Sequence, residues 1–122
     1  LADHGFSAYA NTIEASDKLI DENPDLINRF ISASRQGWED FLSNDPQPAF
    51  DLIQELNPDM PADKLAYAHS KMIEYNIVTG DGEKIGSMSA DRWKEFYEMS
   101  LELGIYDSEF DHEKAYTLEF SN

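Results

Sequence analysis

Apolar positions recur at helical spacing over most of this chain. In residues 24–42, Leu26, Ile27, Phe30, Ile31, Ser34, Trp38, Phe41 and Leu42 trace one stripe in steps of four, three and one. Polar punctuation frames that stripe. Ser16 is suited to cap a short helix ending at Glu22. Asn23-Pro24 then offers a cap followed by Pro at the first helical position, where a missing N–H costs nothing. Asp25, in that first turn, favours the helix dipole. Ser43-Asn44-Asp45-Pro46 ends the helix and repeats the device, with Asp45 as cap. A third helix presents Ala49, Phe50, Ile53 and Leu56. Asn57-Pro58-Asp59-Met60-Pro61 is a rigid turn. A fourth helix over residues 62–75 carries Leu65, Ala68, His69, Met72 and Ile73. Ser89 caps a fifth, with Trp93, Phe96, Tyr97 and Leu101 on one face and Gly104 as its stop.

Period-two patterning is brief. Residues 8–13, Ala-Tyr-Ala-Asn-Thr-Ile, alternate as one strand would. Gly80-Asp81-Gly82-Glu83 lies between the short apolar segments Ile77-Val78 and Lys84-Ile85, as in a small hairpin. Tyr116-Thr117-Leu118-Glu119-Phe120 also reads as extended. The expected architecture is therefore mainly α, with about five helices plus one to three short strands. A lone N-terminal strand needs a partner. That partner is either the tail or a sheet in a segment not included here.

Composition narrows the function more than the fold. A chain of 122 residues, 41% hydrophobic and 12% aromatic, is globular and is one domain or part of one. No apolar run approaches the ~18 residues that span a bilayer. The chain opens Leu-Ala-Asp-His, with no initiator Met and no apolar leader, and is expected to be truncated or processed. Twenty-five acidic residues against nine basic ones give a net charge of −16. Such a surface repels phosphate backbones and anionic lipid, so nucleic acid and membrane surfaces are poor partners. There are no cysteines, which excludes disulfides, thiolate metal sites and cysteine nucleophiles.

Candidate chemistry is sparse. His4, His69 and His112 form no metal-ligating pair at helical spacing. His69 falls beside the apolar face of the fourth helix and reads as a satisfied boundary histidine. Asp107, Glu109, Asp111 and Glu113 alternate as at the start of a calcium loop. The required Gly and Glu are replaced by His112 and Leu118, so the run is a solvated acidic strip. Gly80-Asp81-Gly82 is too short and acidic to cradle phosphate. No serine sits in a nucleophile elbow. Tyr9, Trp38, Trp93 and Tyr97 offer rings for a flat ligand, but Trp38 and Trp93 are in register with apolar stripes and are expected in the core. No catalytic residue, metal or cofactor is expected.

A resemblance adds what spacing cannot. The set Ala15, Ser16, Leu19, Ile20, Glu22, Asn23, Pro24, Asp25, Leu26, Ile27, Arg29, Phe30, Ala33, Gly37 and Trp38 resembles the C-terminal part of ABC-transporter solute-binding proteins. The group concerned binds nitrate, sulfonates, taurine and thiamine-pyrimidine precursors. Asp45-Pro46 before Ala49 is similar to that group's Asp-Pro-x-x-Ala helix start. Gly86, Met88, Arg92 and Trp93 match its Gly-x-Met-x-x-x-Arg-Trp. Leu103-Gly104-Ile105 and then Tyr116-Thr117 with Phe120 follow in the family's order. The resemblance spans residues 9–120.

The resemblance implies a two-lobed α/β binding protein of the type 2 periplasmic fold that closes over a small solute. Residues 1–122 would then be one helical segment, the C-terminal part of its first lobe. It implies a small-molecule ligand, a transporter permease as partner, and a periplasmic or extracytoplasmic lipoprotein setting. Tyr9 and Asn11, just ahead of the helices, are the expected ligand contacts. The isolated segment is expected to self-associate. Related pyrimidine-synthesising enzymes share the fold in outline but need a cysteine-rich motif, and this chain has no cysteine. A stand-alone helical interaction domain and a fragment of such an enzyme are the alternatives.

Overall fold

A computed structural model describes residues 8–79, 84–107 and 110–121. Among them are five α-helices: α1 (Asp17–Glu22), α2 (Pro24–Ser43), α3 (Gln47–Leu56), α4 (Ala62–Glu74) and α5 (Ala90–Glu102). A 3-10 turn follows at His112–Lys114. The chain divides into two compact units, one of Leu1–Ile27 with Ser87–Asn122 and one of Asn28–Gly86.

The helix starts follow the caps. Ser16 Oγ accepts from Leu19 N at 3.2 Å, and Ser89 Oγ accepts from Arg92 N at 3.3 Å. Each satisfies a donor that the first helical turn leaves without a partner. Pro24 opens α2. At α3 the device is shifted by one residue: Pro46 stands at the cap and Asp45 Oδ1 accepts from Gln47 N at 3.0 Å.

Two helices end in the same paired-bond motif. At α5, Gly104 takes a φ of 68°, Gly104 N reaches Leu101 O at 3.0 Å and Ile105 N reaches Ser100 O at 2.8 Å. At α4, Asn76 adopts φ 49°, Asn76 N reaches Ile73 O at 3.3 Å and Ile77 N reaches Met72 O at 3.0 Å. Asn is the residue other than Gly that tolerates this left-handed position.

The expected one to three strands are absent among the described residues. Each has a local cause. Ile77-Val78 is the closing turn of α4, because Asn76 terminates that helix rather than opening a hairpin. The turn at 80–83 lies outside the described residues. Alternation in residues 8–13 does not make a ladder, which needs a second backbone about 4.8 Å away. The Ala8 carbonyl there accepts from the Arg92 guanidinium instead, at 3.3 Å. In the tail, Glu119 N donates to Thr117 Oγ1 and Ser121 N to Leu118 O, both at 3.2 Å, which bends residues 117–121 into a turn. The chain as described is helical.

In the unit Asn28–Gly86, Phe50 and Leu65 are buried. Phe41 of α2, Phe50 of α3 and His69 of α4 meet edge-to-face, with centroids 4.7 to 6.1 Å apart. His69 Nε2 lies 2.8 Å from the Phe41 carbonyl oxygen, so His69 is the satisfied boundary residue expected. Arg35 Nε donates to the Ile85 carbonyl at 2.8 Å and ties residue 85 to α2. The α2 stripe is only partly covered. Ile31, Ser34, Phe41 and Leu42 are half-buried, whereas Phe30 is 59% exposed and Trp38 is 40% exposed. The expectation that Trp38 is a core residue is thus corrected; it meets Phe41 by one edge only, at 5.9 Å.

In the unit Leu1–Ile27 with Ser87–Asn122, Ile27 and Phe120 are buried. Ser100 is fully buried and returns its hydroxyl proton to Phe96 O at 2.7 Å. Tyr97 stacks on His112 at 4.5 Å and 9°, and its hydroxyl donates to Phe110 O at 2.6 Å.

Candidate functional site

The chemistry of the unit Leu1–Ile27 with Ser87–Asn122 gathers at the first turn of α5. Ser89 fixes where that helix begins, which places Arg92 and Trp93 together at its start. Residues 8–12 run across this turn and are held by two bonds. Ser89 N donates to the Tyr9 hydroxyl at 2.9 Å, and Arg92 Nη2 donates to Ala8 O at 3.3 Å. Both bonds join residues about eighty positions apart in sequence.

Aromatic packing completes the arrangement. The Trp93 indole meets two tyrosines. Tyr116 stacks parallel on it, with centroids 5.1 Å apart and 2° between planes. Tyr9 meets it tilted by 45° at 5.5 Å. The Arg92 guanidinium carbon sits 4.3 Å from the Tyr9 ring centroid, a cation–π contact. Offset and tilted ring pairs of this kind contribute about 0.5–1.5 kcal/mol each beyond their buried area.

A cavity of about 170 Å³ opens here, lined by Ala8, Tyr9, Thr12, Arg92, Trp93 and Phe96. Among the described residues its lining holds one cation and no carboxylate, in a chain of net charge −16. The Trp93 Nε1–H is buried and finds no acceptor among the described residues. An unmatched buried donor costs about 1–3 kcal/mol, so it is a feature in need of a cause. Chemically the cavity presents hydrogen-bonding groups and aromatic walls. Among the described residues no His, Asp and Glu group is placed to hold a metal ion. The described helices include none long and apolar enough to cross a membrane.

Of the two expected ligand contacts, Tyr9 lines this cavity and is half-buried. Asn11 is exposed and is not one of the lining residues; its neighbour Thr12 is. Trp93, also expected in the core, is half-buried; it packs against Tyr9 and Tyr116 and lines the cavity. Arg92 and Thr12 were not among the expected site residues. Arg92 did stand in the quoted Arg-Trp motif, and that motif was the available signal. His4 and Glu109 lie outside the described residues.

Comparison with known proteins gives two matches. A family described as NMT1/THI5 like matches residues 1–49. The riboflavin-binding protein RibY of Chloroflexus aurantiacus is 30% identical over 125 aligned residues, which cover 98% of this chain and 35% of that protein. The chain thus spans about a third of the length of the relative it matches. No solved structure matches.

Proposed function

We propose, taking as premise the NMT1/THI5-type binding-protein family that these two matches support, that the chain is a segment of a solute-binding protein serving an ABC importer. In that reading residues 1–122 belong to one lobe, which closes with the rest of the protein over a small solute. The partner is a transporter permease and the setting is extracytoplasmic, with a lipid anchor. The protein captures its ligand without transforming it.

The observation that carries the reading is the cavity beside Tyr9 at the start of α5, walled by rings and donors and free of carboxylates among the described residues. The relative is named for binding riboflavin, and a flavin is the first solute to test. Pyrimidine precursors of thiamine, sulfonates, taurine and nitrate complete the panel. Tyr9 is the proposed ligand contact, with Asn11 at the rim. Replacing Tyr9 by Ala in the full-length protein is expected to weaken solute binding, and unchanged affinity would remove Tyr9 from the site. The exposed Phe30, Leu52, Leu56, Tyr67 and Ile77 side chains support self-association of the isolated segment. A monodisperse monomer by light scattering over a wide concentration range would count against that part.

A further inference from the structure

In the unit Asn28–Gly86, α2 carries an apolar strip that the described residues leave open. Phe30, Ala33 and Gly37 follow one another in steps of three and four, so they share one strip of the helix surface, and Trp38 adjoins it. All four are exposed. On one side the strip meets the half-buried Ser34 and Phe41; on the other it meets the polar Arg29, Gln36 and Asp40. Gly37 is out of place on a free helix face. Glycine inside a helix is less stable than alanine, because it loses more backbone freedom and leaves the backbone open to water. Nothing among the described residues stands within 4 Å of where a Gly37 Cβ would lie. Alanine would fit, so the described unit by itself gives no reason for glycine. The core beneath is thin: among the described residues of this unit, the buried apolar side chains are Phe50 and Leu65. Domains of about sixty residues are marginal as a class.

We infer that the strip of Phe30, Ala33, Gly37 and Trp38 is a docking surface for the remainder of the same polypeptide, the part outside residues 1–122. This rests on the reading above that the chain is one segment of a longer protein, and it names the face that joins the segment to the rest. Three observations select that occupant. The RibY match covers 98% of this chain but 35% of that protein, which leaves about two-thirds of a protein of that length to cover the face. The strip has a ring at each end, Phe30 and Trp38, with Ala33 and Gly37 between them. The rings supply apolar area, and the bare backbone at Gly37 admits another backbone at close range. Charge disfavours a second copy, because each chain carries −16 and like surfaces repel. A tethered segment also meets the face at an effective concentration of about millimolar, which a separate copy does not reach.

The test uses the full-length protein. Residues 1–122 hold no cysteine, so Ala33→Cys and Glu39→Cys each add one thiol to that span. Glu39 is exposed and lies opposite Phe30 on α2, which makes it the control. A covered thiol waits for local opening, so Ala33→Cys is expected to react with a maleimide about a hundredfold more slowly than Glu39→Cys, or slower still. Gly37→Ala is expected to lower the melting temperature, because its methyl group meets the docked backbone; on an open face the same change raises it or leaves it unmoved. Phe30→p-benzoylphenylalanine, irradiated and mapped by mass spectrometry, is expected to crosslink within one polypeptide to residues outside 1–122. If that bulky variant fails to fold, the two cysteine variants still decide. Equal labelling of the two thiols, a melting temperature not lowered by Gly37→Ala, or crosslinks that join two copies or stay within residues 1–122 would each overturn the inference. Titration of the parent protein with riboflavin, taurine and nitrate reports on solute binding separately. A bound solute with an open Ala33→Cys thiol sinks this inference alone; a protected thiol with no bound solute sinks the solute-binding reading alone.

Discussion

Removing the Tyr116 ring tests whether the tail holds the site together. Tyr116 is half-buried and lies flat on Trp93 at 5.1 Å. An aromatic side chain buries about 150–250 Å² when fully enclosed, so about 100 Å² is at stake here. At about 25 cal/mol per Å² that burial is worth about 2.5 kcal/mol. Part of it is already present in the unfolded chain, which removes about 10–40%. The parallel stack restores about 0.5–1.5 kcal/mol. Tyr116→Ala is therefore expected to destabilise its unit by about 2–3 kcal/mol. Tyr116→Leu keeps most of the apolar area and loses the stack, for a smaller cost of about 1 kcal/mol.

The assay follows from where the two tryptophans lie. Trp38 belongs to Asn28–Gly86 and Trp93 to the other unit, so a Trp38→Phe background leaves Trp93 to report on its own surroundings. Urea unfolding followed by Trp93 emission gives the free-energy change, and the native emission maximum should shift to the red as Tyr116 is removed. Tyr67→Ala serves as control, because Tyr67 is 66% exposed. If Tyr116→Ala costs no more than that control and leaves the Trp93 emission unchanged, the stacked arrangement is wrong.

Two further predictions concern the supports of the fold. Ser89→Ala removes the α5 cap and is expected to cost about 1 kcal/mol in urea unfolding read at Trp93, with Ser89→Gly costing only a few tenths. His69→Ala removes the contact to the Phe41 carbonyl and two edge-to-face pairs, and should cost about 2 kcal/mol in unfolding read at Trp38 in a Trp93→Phe background. His69→Gln is expected to recover part of that loss, since an amide can still donate to the same carbonyl.

What could be read from the chain depended on how local its cause was. Ser16 and Ser89 cap through bonds to residues three positions on, so their roles follow from spacing alone. Gly104 stops α5 for the same reason. Asn76 stops α4 by an equivalent local motif, but its apolar neighbours Ile77-Val78 precede a glycine-rich turn sequence, and that pairing reads wrongly as a hairpin strand. The segment 8–13 failed for the opposite reason. Its extended pattern is local, whereas a ladder partner is not, and the chain sends its Ala8 carbonyl to Arg92 instead. The site divides the same way. Tyr9 is named from its position ahead of the helices, but Thr12 and Arg92 line one cavity across about eighty residues, a distance that periodicity does not encode. Phe30 and Trp38 share the α2 stripe with buried residues yet remain exposed, because a stripe records which face is apolar and not what covers it.

The central claim is that the protein captures a small solute, and equilibrium binding tests it most directly. Riboflavin, a thiamine-pyrimidine precursor, taurine, an alkylsulfonate and nitrate are each titrated into the full-length protein, with thermal unfolding followed in parallel. The account predicts that one of them binds saturably at a single site. At 100 times its dissociation constant it should add about 2.7 kcal/mol of stability. A protein that binds none of the panel, with its unfolding unmoved at millimolar solute, would contradict the account.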